Sequence, residues 1–469
     1  MPTARGANDY DLIVIGSGPA GQHAAIEAAR HGLRVAVIEK QQVIGGACLH
    51  TGTMPSKSFR EAVLSLTGWR FKCLFPTRDC ALDGRVTMAD IKEHIDAVTA
   101  RELRVIEAQL RRHGIALLHG MAQFTGPHAV RVTPCAGAIA GLTAAHFVIA
   151  TGTVAARPPD LPFDDGTVID SDQLYRAAAL PGTIAIIGGG VVAVEYASVF
   201  ATLGTRVHLI SRGPTILPYV DGDVRGVLLA HLRGLGVTFH DGAAVAAVER
   251  AAGAPVAVLD SGERVGCDML MSASGRVGTA ADLDPGRAGL DVAARGQLAV
   301  DAQYRTAVPH VFAAGDITGP PATASNAKEQ GRLAARAILG LPAVPEASWR
   351  LPMGIYTIPE IAGVGRGEVE LAAEAVPFVR GVARFGEVAR GEIIGDTLGM
   401  MKLLFHRDTR QLLGVHVIGT SATELIQTGH AALHFGAGID YFLNAVFAYP
   451  TLSECYKIAA YDAEAALPP

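Results

Sequence analysis

Two short stretches of the chain carry glycines at a spacing that can cradle phosphate. The first is Gly16-x-Gly18-x-x-Gly21 and the second is Gly188-x-Gly190-x-x-Ala193. In such a turn the first glycine permits a tight bend and the second lets backbone approach a pyrophosphate. The third lets the following helix pack closely on the strand. The start of that helix offers free N–H groups and positive dipole to the anion. Ala193 takes the third position of the second stretch and is small enough for the packing role. About 20 residues beyond the first turn, where a carboxylate can accept hydrogen bonds from ribose hydroxyls, stands Glu39. At the matching place after the second turn the chain reads Ser211-Arg212. An acid there would repel the 2′-phosphate of NADP, whereas arginine can attract it. The second site is therefore expected to accept NADP. The alternative is a solvated surface charge at Arg212, and NAD is not excluded, because Ser211 can still bond a ribose hydroxyl.

Those residues need strands and helices to hold them. Asp11 to Ile15 is a short apolar run before the first turn and reads as a parallel strand buried on both faces. An alanine-rich helix to about Arg30 follows, and a second strand, Arg34 to Ile38, leads into Glu39. The pattern recurs as a strand Ile184 to Ile187, a helix to about Leu203 and a strand Arg206 to Ile210. The most apolar long stretch, Thr183 to Phe200, is interrupted by glycines and by Glu195. It reads as strand, turn and buried helix and not as a membrane span.

The 469 residues exceed one ordinary core, and about three domains are expected. With 49% hydrophobic and 18% charged residues the composition suits a well-buried globular protein. A formal charge of -5 argues against a nucleic-acid-binding surface, which needs a basic stripe. The six cysteines form neither a secretory framework nor a paired CxxC spacing, so no metal site is expected. The opening MPTARGANDYD has no apolar signal core, and cytoplasmic residence is expected.

Residues Gly45 to Lys57 read GGACLHTGTMPSK. Together with the two glycine units, this segment resembles the pyridine nucleotide–disulfide oxidoreductase family, whose pattern is GGTCxxxGCxPSK. Ala150-Thr151-Gly152 is similar to the family's crossover out of its FAD domain, and Ser274-Gly275-Arg276 to the return segment. Val311-Phe-Ala-Ala-Gly-Asp316 resembles the second FAD motif, in which the aspartate bonds the ribityl chain. Pro450-Thr-Leu-Ser-Glu454 resembles the C-terminal interface motif. The resemblance implies an α/β fold: two Rossmann-like dinucleotide-binding domains and a C-terminal α+β dimerisation domain. The implied segments are 1–152 for FAD, 153–274 for NAD(P), 275–348 for the central return to the FAD domain and 349–469 for dimerisation.

The family stores electrons in a disulfide between two cysteines. Here the first is Cys48, but the second position is Thr53, whose hydroxyl cannot form a disulfide. The family's final motif places a histidine acid/base before its Pro-Thr, and here that residue is Tyr449. A phenol suits hydrogen bonding better than proton shuttling. Two parts of thiol chemistry are missing together, which points to loss of the reaction itself. The same pair of departures is similar to a subgroup of the family, the soluble pyridine nucleotide transhydrogenases. Gly354 to Glu360 and Gly419 to Glu424 also resemble that subgroup.

The resemblance assigns roles. One FAD per subunit would be held by Gly16, Gly18, Gly21, Glu39, Lys40, Gly46, Cys48, Thr53, Ala122, Thr151, Gly152, Gly275, Arg276 and Asp316. NADPH/NADP+ and NADH/NAD+, as substrates, would meet Gly188, Gly190, Val191, Ser211 and Arg212. Lys57 and Glu195 are implied as the catalytic ion pair beside the flavin N5, where a cation favours hydride acceptance. The bland reading is a pair that only fixes a domain contact. Val191 occupies a place where some relatives carry a tyrosine lid. It either leaves the nicotinamide pocket open or simply packs the helix. Cys48 is an inert buried thiol, a charge-transfer thiolate or a partner for a distant cysteine. His50 is expected to pack against cofactor. The implied reaction is NADPH + NAD+ ⇌ NADP+ + NADH by double displacement through the flavin. The rivals are an NAD(P)H:quinone or dye reductase and a non-catalytic flavoprotein. The partners expected are nicotinamide dinucleotides and a second copy of the chain in a homodimer, with larger assemblies left open and no nucleic acid or membrane.

Overall fold

The computed structural model describes residues 8–69, 87–134, 138–343, 345 and 347–467. Residues 1–7 of the opening segment, and Cys73, Cys80 and Cys135, lie outside the described residues. The chain divides into two compact units. The first draws on Met1–Phe59, Lys92–Ala156 and Gly275–Pro345, and the second on Arg60–Ile91, Arg157–Ser274 and Glu346–Pro469.

In the first unit the run Tyr10–Ile15 is a strand whose Leu12, Ile13 and Val14 are fully buried. Continuous apolar runs of this kind are what a parallel strand covered on both faces requires. It lies between the parallel strands Val35–Glu39 and Ala140–Ile149, with Ile15 opposite Ile38 on one side and Ile149 on the other. Ala116–His119 extends the parallel sheet beyond Val35–Glu39, and Val311–Ala313 pairs in parallel with Ala140–Ile149. Met121–Gly126 and Ala129–Thr133 add antiparallel strands. The helix Pro19–Arg30 packs on the helix Ala324–Ile338. A Cβ at Gly331 would stand 2.0 Å from the Ala20 carbonyl oxygen, so that contact requires glycine.

The second unit holds an all-parallel sheet in the order Thr238–Asp241, Arg206–Ser211, Thr183–Ile187, Met269–Ser272 and Val168–Asp170. The helix Val191–Thr202 follows its central strand, and Ala193 to Ala201 along it are buried. The expected strand, turn and buried helix over Thr183 to Phe200 is thus what forms. A three-stranded antiparallel ribbon, Val245–Ala251, Ala254–Leu259 and Arg264–Gly266, interrupts the parallel pattern.

The same unit contains a five-stranded antiparallel sheet of Met353–Ile355, Ile361–Gly365, Leu412–Ile418, Met400–His406 and Phe378–Arg384. The helices Ala422–His434 and Glu454–Ala465 pack against it around Phe405, Val415, Phe442 and Tyr456. Two doubly wound sheets and a C-terminal α+β layer are the architecture that the motifs implied.

Lys402 in this last sheet is 1% exposed, and its ammonium meets Asp221 at 2.9 Å, Asp223 at 2.8 Å and Glu368 at 2.9 Å. Asp221 also accepts from the N–H groups of Asp223 and Val224 and so caps the helix Gly222–Gly234. A buried cation of this kind is tolerated only when paired. It ties the nucleotide-sheet helix to the antiparallel sheet. Among the described residues no helix is long and apolar enough to cross a membrane.

Candidate functional site

The first glycine turn is forced by space as well as by φ. Gly16 has φ +105°, and a Cβ there would lie 2.4 Å from the Ala150 carbonyl oxygen. A Cβ at Gly21 would lie 1.9 Å from the Gly16 carbonyl oxygen, whereas one at Gly18 would meet nothing within 4 Å among the described residues. The outer glycines close the packing and the middle one faces open space, as the phosphate reading requires. Gly18 is the residue before the helix Pro19–Arg30, so the helix start opens onto that space.

Glu39 ends the adjacent strand and is 5% exposed. One carboxylate oxygen accepts from the Ser17 N–H at 3.0 Å and the Ser17 hydroxyl at 2.6 Å, and the other accepts from the Gln41 N–H at 2.9 Å. Ser17 Oγ in turn accepts from the Gly45 N–H at 2.9 Å. One serine thereby joins the glycine turn, the acid and the segment that carries Cys48. Gly46 lies against Gly18: a Cβ on it would stand 2.9 Å from the Gly18 Cα.

Cys48 sits on the helix Gly46–His50 and Thr53 opens the helix Thr53–Leu66. Burial pushes the Cys48 thiol above its ordinary pKa, and the neighbouring Thr53 hydroxyl offsets this in part. His50 bonds the Ile44 carbonyl oxygen at 2.8 Å. Lys57 lies one turn into the Thr53–Leu66 helix.

A second group of predicted residues gathers on the other side of the Gly16–Ala150 contact. Arg276 donates to the Thr153 hydroxyl and to the Thr153 carbonyl, each at 2.9 Å. Thr153 also donates to Asp316 at 3.4 Å. Burial raises the Asp316 carboxyl above its ordinary pKa, with Arg276 and Thr153 opposing the shift. Thr151 Oγ1 is buried without a hydrogen-bond partner among the described residues, and Gly152 adjoins it at φ +65°. Gly275, at φ +114°, precedes Arg276. A buried orphan hydroxyl and a buried carboxyl whose pKa burial raises are groups that a polar ligand would satisfy. With the open face at Gly18, these residues fit FAD. Two predicted contacts stand apart: Ala122 is buried in the apolar cluster with Phe124 and Val130, and Lys40 faces Asp282 at 3.8 Å on the surface.

In the second unit the turn repeats the first. Gly188 has φ +138°, and a Cβ there would lie 2.6 Å from the Ala273 carbonyl oxygen, as Gly16 does with Ala150. A Cβ at Gly190 would again meet nothing within 4 Å among the described residues, and Gly190 precedes the helix that Val191 opens. Ser211 is buried at the end of its strand, and its hydroxyl would lie 2.5 Å from a Cβ at Gly189, while Arg212 is exposed.

Glu195 is 6% exposed, and its Oε1 accepts from the Tyr356 N–H at 2.8 Å. Ser198, one turn on and fully buried, accepts from the Ile358 N–H at 3.1 Å and donates to the Glu195 carbonyl at 2.8 Å. Arg60 donates to the Thr357 carbonyl at 3.0 Å and meets Glu360 at 3.2 Å. The segment Tyr356–Glu360, which the motif analysis singled out only by resemblance, is therefore the support of Glu195. Ser17, Thr153 and Ser198 escaped the sequence reading. Ser17 had a signal, since it lies between two glycines beside a strand-terminal acid. The Tyr356 and Ile358 donors are backbone groups and carry no residue signature. Among the described residues no group of three or more histidine, cysteine or acidic side chains could hold a metal ion.

A doubly wound sheet with a phosphate-accepting turn, repeated once in the chain and followed by an α+β domain, is the plan of the flavin-linked nicotinamide oxidoreductases. The chain belongs to the pyridine nucleotide-disulphide oxidoreductase family, whose profile matches residues 10–331 and whose dimerisation domain matches residues 351–460. It is 43% identical over 455 residues to the soluble pyridine nucleotide transhydrogenase of Mycobacterium bovis (strain BCG / Pasteur 1173P2), covering 97% of each chain. It is 39% identical over 458 residues to the protein of the same name from Hahella chejuensis, covering 96% of this chain and 97% of the other. Among solved structures it is similar to LpdA from Mycobacterium tuberculosis, with a TM-score of 0.88 and 27% identity over 96% of this chain and 99% of that one.

Proposed function

We propose that this chain exchanges hydride between the two nicotinamide dinucleotides, NADPH + NAD+ ⇌ NADP+ + NADH, with FAD as resident cofactor. The observation that carries the reading is the pairing of Cys48 with Thr53, which puts a hydroxyl where a dithiol relay needs a second sulfur. The full-length likeness to curated transhydrogenases supports it and does not favour a quinone reductase.

Bound FAD supplies the centre that accepts a hydride from one nicotinamide and returns it to the next. The protein's part is binding and electrostatics. Gly16, Gly18 and Gly21 receive the pyrophosphate, Glu39 the ribose, and Thr151, Arg276 and Asp316 the polar chain of the cofactor. Gly188 and Gly190 receive the phosphates of the exchanging dinucleotide. Arg212 offers a cation to a 2′-phosphate, and Ser211 a hydroxyl to an unphosphorylated ribose. We carry forward the family's assignment of Lys57 and Glu195 as the pair serving the reacting atom of the flavin. The Tyr356 N–H holds the Glu195 carboxylate in a fixed position, and preorganised charge costs no rearrangement when the reaction occurs.

The working segments are 1–152 and 275–348 for FAD, 153–274 for NAD(P) and 349–469 for pairing of two copies. We take the working form to be a cytoplasmic homodimer, because the C-terminal region matches the family's dimerisation domain. Stopped-flow reduction by NADPH, followed by mixing with NAD+, tests the reading. Flavin absorbance should fall, then recover as NADH appears. Bleached enzyme that a quinone reoxidises and NAD+ does not would overturn it.

A further inference from the structure

The loop between Ser211 and the helix Gly222–Gly234 closes back on the second glycine turn, and both sides of it meet that turn at Gly189. The Leu217 N–H donates to the Gly189 carbonyl oxygen at 2.9 Å. A Cβ at Gly189 would stand 2.5 Å from the Ser211 hydroxyl oxygen and 3.7 Å from the Ile216 Cα, so no side chain fits between turn and loop. Leu217 is fully buried and has φ +43°, a left-handed backbone that non-glycine residues rarely adopt. A residue stays in such a conformation only where its surroundings hold it there.

Arg225, in the first turn of the helix Gly222–Gly234, supplies that hold. Its Nη1 donates to the carbonyl oxygens of Leu217 at 3.3 Å, Pro218 at 3.2 Å and Val220 at 3.2 Å. Carbonyl oxygens that converge on one point repel one another, and a cation placed among them turns the repulsion into attraction. The base of Arg225 is fixed in turn. Asp221 caps its helix, and the buried Lys402 holds Asp221 at 2.9 Å. A run of contacts thus leads from Lys402 through Asp221 and Arg225 to Leu217 and the Gly189 carbonyl.

Arg212 is held by other means. The carbonyl of Ser211 accepts from the Ala243 N–H and that of Gly213 from the Gly242 N–H, each at 3.0 Å. The backbone on either side of Arg212 is therefore pinned without any help from Arg225. Arg225 bears on the phosphate turn and not on the reader of the 2′-phosphate.

We propose that Arg225 is a positioning residue for the exchanging dinucleotide. It acts through Leu217, which fixes the Gly189 carbonyl and keeps Gly188 to Gly190 in the shape that receives the pyrophosphate common to NADP and NAD. Arg225 governs how tightly either dinucleotide is held, and Arg212 governs which of them is favoured. The inference rests on the proposed exchange reaction.

Equilibrium titration of the FAD-loaded protein with NADP+, NAD+ and ADP-ribose tests it. Arg225→Met keeps an apolar stem and removes the donors. It should weaken all three ligands by one factor, about tenfold, the lower end of what a hydrogen bond to a charged group is worth. The factor is shared because each ligand carries the pyrophosphate. At saturating NADPH the Met variant should reduce its flavin at the parent rate, since the change touches binding and not the chemical step. Arg225→Lys keeps a cation with three donors and should bind within about threefold of the parent.

Unchanged binding by the Met variant overturns the proposal. Weakening of NADP+ alone also overturns it, because Arg225 would then be a contact of the 2′-phosphate. So does a Lys variant as poor as the Met variant, or a Met variant that sheds FAD or reduces its flavin more slowly at saturation, which would mark a general loss of structure. A parent protein that binds neither dinucleotide would overturn the exchange reaction itself, a result recognisable before any variant is made.

Discussion

The hydroxyl of Thr53 is close enough to the thiol of Cys48 to lower its pKa against the burial that raises it. The two positions that a dithiol relay would use are thus neighbours, and only the second sulfur is missing. The protein should take up two electrons per FAD. Anaerobic dithionite titration measures this, and four electrons per flavin would show a second redox centre.

Because Thr53 is close enough to act on the Cys48 thiol, Thr53→Cys should restore the missing store and raise uptake to four electrons per flavin. The same titration reads the result. Uptake that stays at two would show that the local backbone cannot accept the bridge.

Burial raises the Cys48 pKa above the ordinary thiol value. The protonated form is thereby favoured in the folded protein, and the thiolate appears only at higher pH than for a free cysteine. Alkylation of Cys48 by iodoacetamide, followed by peptide mass spectrometry, should still be climbing above pH of about 8.5, where an ordinary thiol is half ionised. A rate that levels off below neutrality would reveal a stabilised thiolate.

If Lys57 serves the reacting atom of the flavin, Lys57→Met should slow flavin reduction by NADPH about 10²–10³-fold with FAD retained. Rapid-reaction spectroscopy decides. An unchanged rate would leave Lys57 with a packing role only.

Arg212→Ala should raise KM for NADPH by roughly 10–150-fold, the worth of a charge-assisted hydrogen bond, and leave KM for NADH nearly unchanged. The contact is remote from the chemistry, so kcat should change less. Equal effects on both cofactors would mean that Arg212 supports its loop.

Ser198→Ala strands the buried Ile358 N–H. An unsatisfied buried donor costs about 1–3 kcal/mol, which for a chain of 469 residues should lower the thermal midpoint by roughly 1–3 °C. Calorimetry checks this, and an unchanged midpoint would mean that Ile358 finds another acceptor.

The local signals read well because the two glycine units couple residue type to position. An apolar run, a turn of fixed spacing and a helix leave little choice of structure, and Tyr10–Arg30 and Thr183–Thr202 follow the expected order. Glu39 was legible from its place about 20 residues after the first glycine turn, and Glu195 from the family resemblance. What holds them was not visible. Glu195 is fixed by a peptide N–H 161 positions away, and no side chain announces it. Lys402 did leave a trace, a lone charge inside the apolar strand Met400–His406. Its three acids, however, come from Asp221, Asp223 and Glu368, which only the fold assembles.

That lysine also bears on how the protein could be re-engineered. A graft of residues 157–274 from a relative with another cofactor preference would replace two of the three acids that meet Lys402 and keep only Glu368. A donor lacking acids at the places of Asp221 and Asp223 would leave a buried ammonium in the recipient's C-terminal sheet with one carboxylate in place of three. Chimeras at this junction should therefore express poorly unless the strand Met400–His406 travels with the insert. Point changes confined to Ser211–Tyr219 leave that junction intact and are the safer route to altered coenzyme choice.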